Sequence, residues 1–340
     1  MPRVLDFQKV SFQEFKAEVI GITSKNISVV VPAYNDPENL DKCLEALSRQ
    51  TLRNELEIVV SLDGGDNLPS EVAERADRVL KGEHSGPAGA RNRGWRASTG
   101  EFVLFTDSDC VPYPDWAEQM VLVLGGGADA VKGVYTEGGS RTIQRLAQIE
   151  FDERYKLLQK HEIIDIIDTY SAGYRRSVLE STGGFDESFP FPDHEDIDLS
   201  CRMTGEGYVL RFAPLAKVSH RHRETWGKYF RMKFSRGRWR MKVVKRYPRR
   251  AGTDTYTPKC MKLQIILCPL LVPVLLLLSV GILPLALWGG LLILSTIPLT
   301  LTAFRSDPPL VPLVPIFAFW RGSALFSGLL RGIFASEEVN

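Results

Sequence analysis

From Leu263 to Phe304 the chain carries no Asp, Glu, Lys or Arg, a run of 42 residues. About 20 apolar residues cross a bilayer core, and soluble core helices seldom run this long without a charge. The stretch therefore reads as two membrane helices broken near Gly281-Ile282-Leu283-Pro284. The segment before it, between Trp226 and Lys262, is basic and aromatic, with Arg231, Arg236, Arg240, Lys245 and Arg249 among Tyr229, Phe234 and Trp239. Lys and Arg beside a span mark the cytoplasmic side. Two spans return the chain to that side, where Arg305, Arg321 and Arg331 stand. Attraction to anionic lipid accounts for the basic run, and a net charge of +1 gives no sign of a nucleic-acid partner. Residues 308–334 are apolar too, but Arg321 lies in their middle. A charge at mid-membrane costs at least ~2.5 kcal/mol, so this piece is an interfacial amphipathic helix or a third span.

Residues 1–25 mix charge with apolar side chains and lack the hydrophobic core of a signal peptide. The cysteines, Cys43, Cys110, Cys201, Cys260 and Cys268, are scattered and form no CxxC pair, which fits a reducing compartment. From Ile27 onward short apolar runs alternate with helical patterns. Ile27–Pro32, Leu56–Asp63, Arg78–Lys81, Phe102–Phe105 and Ala130–Tyr135 read as strands. Asp36-Pro37-Glu38 opens a helix with Asp36 as its cap. Gly86–Ser98, Tyr113–Leu124 and Thr142–Leu158 read as helices, Thr169–Tyr174 as a turn-rich piece, and Tyr208–Ala213 and Ala216–Ser219 as two short strands. This alternation predicts an α/β domain with a mostly parallel sheet and helices on its faces.

Acidic residues gather where those strands end. Asp107 and Asp109, at i and i+2 after Phe105, point the same way on an extended chain and face the crevice where open α/β sheets hold ligands. Oxygen ligands of this kind suit Mg²⁺ or Mn²⁺. Asp63 ends the second strand on the same edge, in a context that also marks a turn. Glu195, Asp196 and Asp198 open a helix behind His194. Small residues and Arg91 at the start of Gly86–Ser98 suit a diphosphate, and also close packing.

These pieces occur in a recognisable order: Pro32-Ala33-Tyr34-Asn35, Asp63-Gly64, Gly86-x-x-x-Ala90-Arg91-Asn92, Asp107-x-Asp109, Gly183-Gly184-Phe185-Asp186 and Glu195-Asp196. The set resembles the inverting family-2 glycosyltransferases of GT-A fold, over residues 27–225. The resemblance implies a nucleotide-diphosphate sugar donor, a UDP-sugar foremost, and Mn²⁺ or Mg²⁺. It implies that Asp107, Asp109 and His220 hold the ion, that Asp196 is the base, and that Glu195 orients or binds the acceptor. Pro32, Tyr34, Asn35, Asp63, Arg91 and Asp107 would bind the donor. Ser235-Arg236-Gly237-Arg238-Trp239 resembles the family's Gln-x-x-Arg-Trp box, with Ser235 in place of Gln, which adds Arg238 and Trp239 to the donor set and argues for a single transfer over a processive synthase. Leu62 stands where many members carry a first Asp. For His220 a solvated loop histidine is the competing account, and Trp116 and Trp226 line a sugar site or pack in the core.

The expected organisation is an N-terminal extension (1–25), a GT-A nucleotide-diphospho-sugar transferase domain (26–225), a basic amphipathic juxtamembrane segment (226–262), a transmembrane hairpin (263–305) and an interfacial or third membrane helix and tail (306–340). The expected activity is sugar transfer to a lipid-linked or glycan acceptor in cell-envelope synthesis, at the cytoplasmic face of the inner membrane. A processive polysaccharide synthase and a non-catalytic membrane scaffold of the same fold are the rivals.

Overall fold

The computed structural model describes residues 26–65, 68–189, 193–250, 252–279 and 281–335. The N-terminal extension expected over residues 1–25 lies outside them. The elements are β1 (Ile27–Ala33), α1 (Pro37–Ser48), β2 (Leu56–Asp63), α2 (Ser70–Ala73), β3 (Arg78–Gly82), α3 (Gly86–Ala97), β4 (Phe102–Thr106), β5 (Cys110–Pro112), α4 (Trp116–Gly125), β6 (Ala130–Thr136) and α5 (Thr142–Leu158). There follow β7 (Ser171–Arg175), α6 (Arg176–Thr182), α7 (Glu195–Gly205), β8 (Leu210–His220), α8 (Trp226–Arg246), α9 (Lys259–Leu267), α10 (Leu271–Leu276), α11 (Leu283–Ser295), α12 (Ile297–Ser306) and α13 (Val314–Phe334).

Two compact units divide the chain. One holds the residues up to Thr136 and Glu162–His220; the other holds Glu137–His161 and everything from Arg221. Helix α5, expected inside the catalytic domain, groups with the C-terminal helices.

In the first unit eight strands form one sheet in the order β3-β2-β1-β4-β7-β6-β8-β5. Strands β3, β2, β1 and β4 run parallel; β1, β2 and β4 carry the buried apolar runs of an inner parallel sheet, with every residue of β2 buried, while β3 is the mostly exposed edge strand. The sheet is mixed beyond that point: β7 lies antiparallel to both β4 and β6, and β5 antiparallel to β8. The turn-rich reading of Thr169–Tyr174 is thus replaced by a central strand. Its small residues serve packing, since a Cβ on Gly173 would fall 2.8 Å from Leu104 Cδ2. The two short strands expected over Tyr208–Ser219 are one strand, β8, whose pairing with β6 shifts between Lys132 and Val134. Asp36 does cap α1, its Oδ1 accepting from Asn39 N–H at 3.3 Å.

Beneath β1 and β2 sits a buried carboxylate. Glu57 Oε2 accepts from Ser28 Oγ at 2.6 Å and from Thr99 N–H at 2.7 Å. Burial alone would raise its pKa, but the Ser28 and Thr99 hydrogen bonds outweigh it and the group is lowered.

In the second unit, α5, α8, α12 and α13 share one apolar cluster, including Ile143, Leu146, Tyr229, Leu299, Ala303 and Phe317. Glu150 is its buried anion, taking Lys233 Nζ at 2.6 Å, Arg154 Nη2 at 3.1 Å and Tyr229 OH at 2.5 Å. Burial opposes the charge of Glu150, but Lys233, Arg321 and Arg154 override it and hold its carboxyl well below the usual range. Arg321, the charge amid the apolar 308–334 segment, is fully buried and donates to Gln264 Oε1 at 2.6 Å.

Among the described residues one helix, Pro308–Phe334, is long and apolar enough to cross a membrane, or up to three if each bent pair counts as one span. The stretch expected as two membrane helices consists of two bent pairs, Lys259–Leu267 with Leu271–Ser279 (45°) and Leu283–Ser295 with Ile297–Ser306 (49°), broken between Ser279 and Leu283.

Candidate active site

The carboxyl ends of the strands gather predicted residues of the first unit, with two rearrangements, at the Asp107–Asp109 turn and at Arg91. Asp107, Ser108 and Asp109 are a turn closed by Cys110 N–H on the Asp107 carbonyl at 3.0 Å, not extended chain. The two carboxylates therefore diverge. Asp107 accepts from Arg91 Nη2 at 2.9 Å. Asp109 reaches the other way, its Oδ1 3.5 Å from His220 Nδ1. The short strand β5 causes this: Cys110 is paired with His220 across the β5–β8 ladder. Nothing in the sequence marked β5, because three residues are too few to show a period.

Among the described residues, Asp109, Cys110 and His220 have ligand atoms within 4.8 Å of one another. A carboxylate with an imidazole suits Mn²⁺ better than Mg²⁺, which prefers all-oxygen shells. The Cys110 thiol is buried, and burial with the charges of Asp107 and Asp109 pushes it up, so it stays protonated. The predicted triad of Asp107, Asp109 and His220 is thus gathered only in part, with Asp107 engaged elsewhere.

Arg91 is the largest revision. Instead of reaching out to a diphosphate, it is buried and bridges two elements: Nη2 donates to Asp107 after β4 and Nη1 to Glu195 Oε1 at the start of α7, at 2.6 Å. Its guanidinium also lies 5.8 Å from the Phe185 ring centre. Neighbouring Asn92 donates to the Phe185 carbonyl at 2.8 Å and accepts its N–H at 2.9 Å. Gly184 has φ +78°, and a Cβ there would stand 2.5 Å from Asn92 Oδ1. The Arg91-Asn92 and Gly183-Gly184-Phe185 motifs are therefore two sides of one joint.

Before α7 stands His194, a non-glycine residue at φ +74°, a conformation that costs about 1 kcal/mol or more and clusters at functional sites. Glu195 is buried, and its Oε2 has no hydrogen-bond partner among the described residues. Asp196 is half-buried, with Oδ1 accepting from Ile197 N–H at 2.8 Å. Burial raises the Asp196 carboxyl well above the usual range; the charges of Glu195 and Asp168 add to this and Arg91 opposes it. Burial also raises Glu195, against Arg91.

On the other side of the sheet edge, Asp63 is buried and caps α3 from the neighbouring strand. Its Oδ1 accepts from Ser85 N–H at 2.8 Å and its Oδ2 from Gly86 N–H at 3.0 Å. His84 Nδ1 stands 2.9 Å from the same carboxylate, and the His84 ring lies 4.6 Å from that of Tyr34, which is exposed. Pro32, next to last in β1, is half-buried, and Asn35 takes φ +48°. Tyr34 and His84 thus offer an aromatic platform beside a held carboxylate. His84 was not singled out from the sequence, where it is a lone histidine with no spacing signal.

Also missed were Lys132, Tyr135, Asp168 and Tyr170. Lys132 is fully buried, paired with Asp168 and 2.9 Å from Tyr170 OH. Tyr170 stacks on Tyr135 at 3.5 Å, and Tyr135 on His220 at 4.7 Å. Trp116 is core, its Nε1 donating to Ser171 Oγ at 2.9 Å. In the second unit, Arg238 and Trp239 lie half-buried on α8, and Trp226 packs edge-on to Phe317 and Trp320. His222, partner of His220 in the His-x-His pattern, stacks on Phe151 within that unit.

The sequence model of glycosyl transferase family 2 matches residues 28–183. The chain is 31% identical over 206 residues to the glycosyltransferase AglE of Haloferax volcanii, covering 55% of this chain and 64% of that protein. It is 31% identical over 219 residues to the pre-mycofactocin glycosyltransferase of Mycobacterium tuberculosis, covering 60% of this chain and 44% of that one. These matches thus span about half to just under two thirds of the relatives' own length. The mannosyltransferase PcManGT from Pyrobaculum calidifontis, solved with GDP-Man and Mn²⁺, aligns with a TM-score of 0.58 over 96% of this chain and 93% of that one, at 19% identity. At that identity the likeness speaks for the fold. Over residues 28–183 the chain therefore matches glycosyl transferase family 2, and its mixed sheet with flanking helices is that of the GT-A fold.

Proposed function

We propose that this chain transfers a sugar from a nucleotide-diphosphate donor to an acceptor hydroxyl, with inversion and with a divalent ion, from a membrane-anchored position. The observation that carries this reading is the Arg91 bridge, which joins the Asp107 turn to the Glu195-Asp196 helix start. Acids with two separate tasks are thereby held at one sheet edge.

Asp109 and His220 would hold the ion, Mn²⁺ in preference to Mg²⁺, and the bound ion supplies charge neutralisation at the leaving diphosphate. Tyr34, with His84 and Asp63 behind it, would receive the nucleoside, and Pro32 and Asn35 shape that turn. Asp196 accepts the acceptor proton as the hydroxyl oxygen bonds to the anomeric carbon. The bond from that carbon to the diphosphate oxygen breaks on the opposite face, and its electron pair leaves with the diphosphate. One displacement with one base inverts the centre. A carboxylate with a raised pKa is the better base near neutral pH. Glu195 Oε2, which has no hydrogen-bond partner among the described residues, would take a hydrogen bond from the acceptor while Arg91 holds Oε1.

Lipid-linked or envelope glycan acceptors suit a membrane-held enzyme. UDP-sugars are the first donors to test, with GDP-mannose beside them because the PcManGT structure holds it. The test is release of nucleoside diphosphate with Mn²⁺ across a panel of nucleotide sugars, with the product anomer read by NMR. Retention of configuration, or no donor cleaved, would overturn the assignment.

A further inference from the structure

Two of the three apolar C-terminal stretches are helix pairs bent by more than 40°. Resting on the membrane-anchor reading above, we propose that residues 271–295 form a re-entrant hairpin that enters one leaflet and returns, while Pro308–Phe334 lies along the membrane surface beside α8.

Three observations within the second unit carry this. First, the hairpin arms are short. Helix α11 has 13 residues and α10 has six, extended by a three-residue 3₁₀ turn. At 1.5 Å per residue the longer arm reaches about 20 Å, short of the ~30 Å hydrocarbon core. Its side chains nevertheless face outward: Leu276 and Ile282 are 75% exposed, and Val272, Leu283, Leu287 and Leu294 are exposed as well. A lipid leaflet is the occupant that suits such a continuous apolar tip.

Second, both ends of the hairpin turn back into polar protein. Helix α12 bends away by 49° and settles on α5, a charged helix. There Leu299 and Ala303 join Ile143 and Leu146, Lys156 Nζ meets Thr302 Oγ1 at 3.3 Å, and Arg145 Nε holds Asp307 at 2.7 Å. At the other end α9 buries Gln264, which accepts from Arg321 and donates to the Ser295 carbonyl at 3.0 Å.

Third, α13 runs against α8 with backbones touching. A Cβ on Gly328 would fall 2.0 Å from the Phe234 carbonyl oxygen, and one on Gly332 2.5 Å from that of Arg238. Trp320 and Phe230 meet at 5.0 Å near one end, and Lys245 Nζ reaches the Gly332 carbonyl at 3.3 Å near the other. The two helices therefore run side by side in the same direction. A crossing α13 would carry Lys228, Arg231, Lys233, Arg236, Arg238, Arg240 and Lys242 of α8 into the hydrocarbon, which is prohibitive. Lying flat, α13 offers exposed Ile316, Leu330, Ile333 and Phe334 to the acyl boundary, and exposed Lys228, Arg231, Lys245 and Arg246 meet anionic headgroups.

The test uses the full chain in sealed membrane vesicles of both orientations, with Cys260→Ser as background and an impermeant maleimide as probe. Single Ser279→Cys, Ser306→Cys and Ala335→Cys variants that keep donor cleavage are labelled. The expected result is that Ser306→Cys and Ala335→Cys react from the same face, and Ser279→Cys reacts only after detergent. Reaction of Ala335→Cys from the face opposite Ser306→Cys overturns the surface placement of α13. Reaction of Ser279→Cys without detergent, from either face, overturns the re-entrant hairpin. Release of the protein by alkaline carbonate would instead sink the membrane-anchor reading itself, and shows as loss from the membrane pellet before any labelling.

Discussion

Arg91 and Glu195 are 104 positions apart in the chain and 2.6 Å apart in the structure, both buried. The same guanidinium holds Asp107 at 2.9 Å. One cation thus fixes the distance between the turn after β4 and the start of α7. In this fold a residue expected to face the donor has become the brace behind both acids.

Replacing Arg91 should expose that role. Arg91→Ala leaves Glu195 buried beside an unpaired site, and breaking a buried pair in this way costs about 3–5 kcal/mol. Arg91→Lys keeps the charge but not the fork, so it should restore most of the stability and little of the rate. Urea unfolding and donor turnover measured on both variants check this. Equal rates for Arg91→Lys and wild type would show that the bridge does not position α7.

The pH profile tests Asp196. Its carboxyl is raised by burial, then by the charges of Glu195 and Asp168. The rate needs the carboxylate, so kcat/KM should fall on the acid side at a pH above that of an ordinary aspartate. Asp168→Asn removes one raising charge and should move that limb to lower pH. The stability sign is opposite: a raised folded pKa stabilises fully below the unfolded value and is lost as pH rises through the folded one. Asp196→Asn should therefore be inactive, yet no less stable than wild type at neutral pH. A thermal melt and a pH–rate series separate the two effects.

The Gly184–Asn92 joint predicts a steric effect. Gly184→Ala faces both φ +78° and a Cβ 2.5 Å from Asn92 Oδ1, a combination worth roughly 1–3 kcal/mol of destabilisation. Gly183→Ala, also at positive φ but with nothing within 4 Å, should cost less. Denaturation midpoints of the two variants give the comparison, and equal losses would remove the joint from the account.

Glu57 sets an acid limit on the fold. Its pKa lies below the ordinary 4.5, so its contribution is present above that value and lost as pH falls through the folded pKa. Glu57→Gln should cost about 1–3 kcal/mol at pH 7, and the gap to wild type should close toward acid. A gap constant with pH would mean that the charge plays no part.

Much of the first unit was legible because its signals are local. The apolar runs of β1, β2 and β4 are long enough to show a period, and Asp36 caps α1 as its sequence context suggests. Central strand β7 was not, because Ser171-Ala172-Gly173 looks like a turn until Leu104 and Leu124 are placed against it. The same applies to the acids. Their positions at strand ends could be read, but the divergence of Asp107 from Asp109 depends on β5 pairing with β8, a contact far along the chain. Lys132, Asp168, Tyr135 and Tyr170 carry no mutual spacing at all, since only the fold stacks them beside His220. In the second unit, composition gave the apolar run correctly, but the bends and the touching backbones of α8 and α13 are properties of packing.

The most direct test of the account is Mn²⁺-dependent donor cleavage by wild type, Asp109→Asn and His220→Ala, followed as nucleoside diphosphate released. Bound Mn²⁺ is titrated in parallel by its paramagnetic resonance signal. The account predicts that both variants bind Mn²⁺ at least tenfold more weakly, that cleavage falls by a factor of 100 or more at limiting metal, and that excess Mn²⁺ partly restores His220→Ala (thresholds on the scale of losing one ligand or one electrostatic contact). Wild-type binding and turnover in Asp109→Asn would contradict it.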